Sequence, residues 1–320
     1  MLYFVRGTTG FSVTERAPSD GLVYPEITLS ADQKVKLVDL RAPHEAYKFP
    51  PVRVYMPGLL KSNLQKAVRR RYIEEAFATA KHFLAQDASE LLRRLPIIMC
   101  EDSQLHAELF MEIVWLMAAV SKGYRLCAPD CQRVMDFVGA CLSAPGRYNI
   151  YSGATFASVD ISKDPVQLAF ALRISYGGMA CDTAFMERLL TRVASASRLP
   201  QHSDFIQVVY EDVGEFDLKR HLLPEAVDFH CFPSMLTETG VAKQAIWYNR
   251  SAPNVRTFVG LDADHGARTE AEGREAWPLA PDALVKIEDF VEATVTRLRG
   301  RPPSPPAVKQ MRLTGFVKRS

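Results

Sequence analysis

Hydrophobic positions in the first 57 residues come as short runs. Leu2–Val5, Val23–Leu29, Val35–Leu40 and Val52–Tyr55 are β-prone and separated by Gly, Pro, Ser and Asp, which predicts strands. From about residue 60 the period changes to that of a helix. Ser62 with Gln65 reads as a capping box, and Leu64, Ala67 and Val68 begin an apolar stripe that Ile73, Ala76, Phe77, Ala80, Phe83 and Leu84 continue. Asp87-Ala88-Ser89-Glu90 is a second capping box and predicts a fresh helix start. His106–Lys122 is apolar on nearly every side and should lie centrally. Gly123 ends it, and Pro129 opens another helix running to about Leu142.

The second half follows the same logic. Asp164-Pro165 is a cap followed by Pro at the first helical position, leading into Val166–Ser175. Tyr176-Gly177-Gly178-Met179 is expected to turn, Asp182 to cap Thr183–Ala196, and Pro224, Val241 and Asp282 to start further helices. Residues 251–280 are polar and contain Gly, which predicts a long surface loop. The last helix, 282–298, carries Leu284, Ile287, Phe290, Val291, Val295 and Leu298 on one side, and Gly300 stops it. The expected fold is mainly α, a helical bundle with a small N-terminal β region, α+β overall. Its parts are a β-rich region 1–57, a helical bundle 58–145, a second helical region 146–298, a Pro-rich linker 299–309 and a tail 310–320.

Composition narrows the class. At 320 residues and 48% hydrophobic content, the chain can bury an ample core. A net charge of only +2 means any nucleic-acid affinity must come from local patches. Six scattered cysteines, Cys100, Cys127, Cys131, Cys141, Cys181 and Cys231, read as free thiols in a reducing compartment. Cys127 and Cys131 resemble half of a zinc site, but no Cys/His pair follows at finger spacing, so no metal is expected there. Arg6 and Gly7 interrupt the N-terminal apolar run, which argues against a signal peptide. The apolar run Ile113–Val120 is too short to span a bilayer.

The tail carries the most specific motif. Leu313, Phe316 and Val317 fall at i, i+3 and i+4, so one helical turn puts all three on one face. So short a segment does not hold that turn alone in water, because nucleation is costly, and it would order in a partner's apolar groove. Burying the three side chains is worth roughly 1.5–3 kcal/mol each, which after ordering the tail leaves about −8 kcal/mol, a micromolar contact. With Gln310 the pattern resembles the PIP box, the peptide by which replication and repair proteins attach to the sliding clamp PCNA. Val317 departs from the family, which usually has a second aromatic there, and this implies a weaker peptide. The resemblance implies a clamp-tethered factor of DNA replication or repair, acting in the nucleus or at the replication sites of a DNA virus. Residues 75–145 also resemble the helical collar of clamp-loader-type AAA+ proteins, in particular the MgsA/Werner-interacting ATPase group. The residues concerned are Ala76, Ala80, Asp87, Leu92-Arg93-Arg94-Leu95, Ile97-Ile98 and Glu101-Asp102. No Gly-Lys pair occurs anywhere, so the phosphate-cradling loop is absent and the chain is not an AAA+ ATPase. Between themselves, the Arg93-Arg94 and Glu101-Asp102 pairs can also be read as a structural salt-bridge set.

Two further constellations bear on chemistry. Lys61, Lys66, Arg69, Arg70 and Arg71 form the densest basic cluster, followed by Tyr72. Such a face can neutralise several phosphates of DNA or be an ordinary solvated helix face. Asp228 and His230 would share one side of an extended segment. With Asp262, Asp264 and His265 they could hold Mg²⁺ or Mn²⁺ for a clamp-associated nuclease. The competing reading is a packed histidine bonded to its neighbouring carboxylate. A third class, a structural or assembly protein whose tail binds its own body, stays open. No membrane partner is expected.

Overall fold

The structure, a computed structural model, describes residues 1–148, 159–194, 201–259 and 270–300. The N-terminal runs form strands Leu2–Arg6 (β1), Phe11–Thr14 (β2), Leu22–Val23 (β3), Ile27–Thr28 (β4) and Lys34–Asp39 (β5). β1 and β5 pair in parallel at the centre, β2 flanks β1, and β3 and β4 lie antiparallel on β5. Phe4, Val35 and Leu37 are wholly buried on the inner face.

Helices follow at Pro57–Arg70 (α1), Ile73–Asp102 (α2), Ala107–Ser121 (α3) and Ala128–Ser143 (α4). A short strand, Gly146–Arg147 (β6), precedes Pro165–Ser175 (α5) and Ala180–Ala194 (α6). Shorter turns come next: Leu218–His221 (α7), Ser234–Thr239 (α8) and Lys243–Ile246 (α9), the last continuing as a π turn over Trp247–Ser251. Thr257–Phe258 (β7) pairs with β6, and Glu270–Ala276 (α10) and Pro281–Gly300 (α11) complete the described residues. The protein is mainly α with a small N-terminal sheet.

The largely apolar α3 lies at the centre, as its sequence leads one to expect. The indole N–H of Trp115 donates to the Phe4 carbonyl at 3.3 Å, and Tyr24 and Tyr124 meet the same ring edge-on at 5.8 and 5.6 Å. These contacts dock the sheet on the bundle. On the other side Phe110 stacks against Phe170 of α5 at 4.4 Å. One continuous core runs from Leu2 to Val291, so the two helical regions share it. Among the described residues, no helix is long and apolar enough to cross a membrane.

Local signals placed several elements well. Asp87 breaks α2 with extended backbone (φ −157°, ψ 83°), and its carboxylate accepts the Glu90 N–H at 3.2 Å. Asp164 caps α5 through the Val166 N–H at 2.8 Å. Gly177 and Gly178 take φ of 67° and 154°, which few other residues tolerate.

Other expectations are corrected. Val52–Tyr55 is not a strand; the Tyr55 N–H and C=O are instead both paired by the Gln86 amide, at 2.9 and 2.8 Å. α1 starts at Pro57, so Ser62 and Gln65 lie inside it and use their side chains on other partners. α6 begins before Asp182, whose carboxylate pairs with Arg94 at 2.9 Å rather than capping. Residues 251–280 are not simply a surface loop: Ser251 and Arg256 are buried, and α10 lies within this span.

Candidate functional site

The five cations of α1 and its C-terminus do not share one environment: Lys66 and Arg69 are buried, Lys61 and Arg70 are half-buried and Arg71 is exposed. α1 is enclosed on most sides, and Lys66 and Arg69 are only 4% and 7% exposed. Lys66 pairs with Asp228 and donates to Ser62 Oγ at 2.7 Å. Arg69 pairs with Asp102 at 2.5 Å and donates to the Ser251 carbonyl at 2.7 Å. Arg70 caps the π turn through the Arg250 carbonyl at 2.5 Å and faces Glu225 at 3.7 Å. Lys61 pairs with Glu90. Arg71 sits at the C-terminus of α1 with φ 57° and donates to the Ala144 carbonyl at 2.5 Å. Lys66 and Arg69 are thus buried and ion-paired inside the fold, and are not positioned to meet DNA phosphates. Tyr72 is exposed.

The same geometry joins this cluster to Asp228 and His230. These two lie in a turn, not an extended segment, with the Phe232 N–H bonded to the Asp228 carbonyl at 2.8 Å. Asp228 Oδ1 accepts the His230 N–H at 2.9 Å, while Oδ2 accepts Ser251 Oγ–H at 3.0 Å and Lys66, and lies 3.2 Å from His230 Nδ1. Burial alone would raise this carboxyl. The His230 contact and the Lys66 ammonium outweigh that and hold it well below the usual carboxylate range. His230 is exposed and packs on Phe229 and Trp247. Asp262, Asp264 and His265 lie outside the described residues, as do Gln310, Leu313, Phe316 and Val317.

The paired arginines and acids of α2 do enter ion pairs, but chiefly with other helices. Arg94 reaches Asp182 on α6 and the Gln65 amide oxygen on α1, and lies only at 4.0 Å from Glu101. Arg93 donates to the Tyr176 carbonyl at 2.9 Å, and Asp102 serves Arg69. Glu101 is the strained member. Burial first, then Asp102 and Asp182 against the pull of Arg94, push its carboxyl from 4.5 to about 7. The folded state thus holds this proton more tightly than the unfolded chain, so its contribution falls as pH rises from 4.5 through 7. Glu101→Gln is expected to gain roughly 1–2 kcal/mol at pH 8 and almost nothing at pH 4. Urea melts at the two pH values check this; an equal effect at both would rule out titration as the cause.

A second polar node, not anticipated from sequence, lies where the sheet meets α4. Arg6 Nη2 bonds both Glu112 and Asp130, the latter at 2.8 Å. Arg41 grips Asp39 through two bonds of 3.0 and 2.9 Å and reaches Tyr124 Oη at 2.9 Å. Tyr124 Oη donates to Asp130 Oδ2 at 2.6 Å and lies 2.8 Å from His44 Nε2. Asp130 Oδ2 also accepts the Cys127 N–H at 2.9 Å and faces Cys127 Sγ at 3.1 Å. Burial opposes the charge of Asp130, yet Arg6 and the Tyr124 and Cys127 donors keep its carboxyl below the usual value. Arg6 is 3% exposed, and its Nη1 is buried without an acceptor. Beside this node a hollow of about 300 Å³ is walled by Tyr47, Phe49, Ala88, Val120, Tyr124 and Leu126. The signal in the sequence was the Cys127-x2-Asp130 spacing at a helix start. Its partners, Arg6, Arg41 and His44, are far away along the chain.

Comparison of the chain with protein families, with curated proteins and with solved structures finds no match in any of the three.

Proposed function

We propose that this chain is an accessory factor of DNA replication or repair, an α-rich body joined to a PCNA-type sliding clamp by residues 310–320. The observation that supports the reading is the spacing of Gln310, Leu313, Phe316 and Val317, which follows α11 across the Pro-rich segment Pro302-Pro303-Ser304-Pro305-Pro306. Pro-rich sequences in general favour extended spacers, which can hold a short peptide away from a folded body. The tether itself then supplies proximity to DNA by raising local concentration, which is why the reading does not need the α1 cations as a DNA face. The place of action is the nucleus or a viral replication site.

A metal-dependent nuclease built on Asp228 is less well supported, since among the described residues no third His, Cys or carboxylate ligand stands with Asp228 and His230. The test of the tether is calorimetric titration of a PCNA-type clamp with the peptide 305–320 and with the full chain. Binding near micromolar, about −8 kcal/mol, is expected for both, and Leu313→Ala/Phe316→Ala should abolish it. No heat from either ligand would remove the basis for a replication role.

A further inference from the structure

We propose that His44, Cys127 and Asp130 form a binding site for one thiophilic divalent cation of the zinc class. The three ligand atoms, an imidazole nitrogen, a thiol sulfur and a carboxylate oxygen, lie within 4.8 Å of one another. Tetrahedral zinc with bonds of 2.0–2.3 Å places its ligands about 3.3–3.8 Å apart. The Sγ to Oδ2 separation of 3.1 Å is already near that range, and His44 is exposed, so its ring can move to close the set. Nitrogen, sulfur and oxygen donors together select zinc over magnesium or calcium, which take oxygen alone.

The charges around the site fit an incoming dication. Arg6 and Arg41 face Asp39, Glu112 and Asp130, leaving an excess of one negative charge. On loading, Sγ–H of Cys127 loses its proton to solvent as the sulfur–metal bond forms, and the Tyr124 to His44 hydrogen bond gives way to the His44–metal bond. One more negative charge from the thiolate and two positive from the ion bring the cluster to neutrality. Three protein ligands leave a fourth position for water. Tyr124 Oη, released from His44 and still bonded to Asp130 Oδ2 at 2.6 Å, is placed to accept a hydrogen bond from it.

His44 lies in the segment leaving β5, and Cys127 and Asp130 lie at the start of α4. The ion would therefore fasten the sheet's exit to the bundle, along the wall of the adjacent hollow that Ala46–Phe49 and Tyr124 line. A search for a zinc pair downstream of Cys127 misses this site because its histidine lies upstream.

The test uses the full chain, stripped with chelator and titrated with Co²⁺ as the probe. One equivalent should bind with a thiolate-to-cobalt charge-transfer absorption and raise the melting temperature. Cys127→Ser should lose the absorption, Cys181→Ser should keep it, and His44→Ala should weaken binding about 100-fold or more. Absence of the thiolate band at stoichiometric Co²⁺, or unchanged affinity in His44→Ala, overturns the proposal. His44 is exposed and outside regular structure, so that variant decides even if Cys127→Ser fails to fold. The outcome is independent of whether the tail binds a clamp.

Discussion

Arg256→Ala is expected to lose on the order of 3–5 kcal/mol of stability. Arg256 is 3% exposed, and its guanidinium donates to four carbonyls: Val68 at 2.8 Å, Cys141 at 2.5 Å, Leu142 at 3.2 Å and Ala144 at 3.1 Å. The first closes α1 and the others close α4, so one cation serves the C-terminal ends of two helices. There it meets carbonyls of the last turns and the negative end of each helix dipole. The backbone secures its position: Val255 N–H bonds the Arg69 carbonyl at 3.0 Å, and Arg256 N–H bonds Asn254 Oδ1 at 3.0 Å. Alanine would take this donor away from all four buried carbonyls. Lysine would keep the charge but lacks the planar fork, so Arg256→Lys should lose roughly half as much. Urea unfolding of the three proteins checks this. A loss below about 1 kcal/mol in Arg256→Ala would show that water replaces the guanidinium.

Arg256 also marks where sequence reading stops. Elements set by local chemistry were legible: the Asp87 break, the Asp164 cap, the Gly177-Gly178 turn and the apolar α3 each follow from neighbours within one helical turn. The strands β1 and β5 were legible from their apolar runs. β2 was not, because Phe11–Thr14 is short and only half buried. Residues 251–259 read as polar surface because their composition is polar, yet Ser251 and Arg256 are polar in order to satisfy buried partners. A composition rule does not distinguish solvent from a carbonyl as the partner of a guanidinium. The same blindness affects α1, where Lys66 and Arg69 look solvated until their acids, Asp228 and Asp102, arrive from residues far along the chain. Spacing alone makes Asp228 and His230 neighbours, but it says nothing of Lys66 and Ser251. The second node escapes for the same reason, since Arg6, His44 and Asp130 meet only through the sheet-to-bundle packing.

The distinction between a binding cation and a structural one yields the second large effect. Lys66→Met should destabilise the protein by about 3–5 kcal/mol, because it strands the fully buried Asp228 carboxylate without its ammonium partner. Asp228→Asn should be similarly harmful, leaving the Lys66 ammonium buried and unpaired. The double variant Lys66→Met/Asp228→Asn is expected to lose far less than the sum of the two. It removes both charges, while the introduced amide still offers an oxygen to the Ser251 hydroxyl or the His230 N–H. The pH dependence has a definite sign. Asp228 is held below its ordinary value of 3.8 in the fold, so its contribution is complete above that pH and is lost as pH falls further. Asp228→Asn should therefore flatten the acid limb of the stability curve below about pH 4. A DNA-contact role for Lys66 makes the opposite forecast: Lys66→Met would leave urea stability unchanged and weaken salt-dependent DNA binding alone. Unfolding curves for the two single variants and the double variant separate the cases. Additive losses would exclude the ion pair as the reason these residues are buried together.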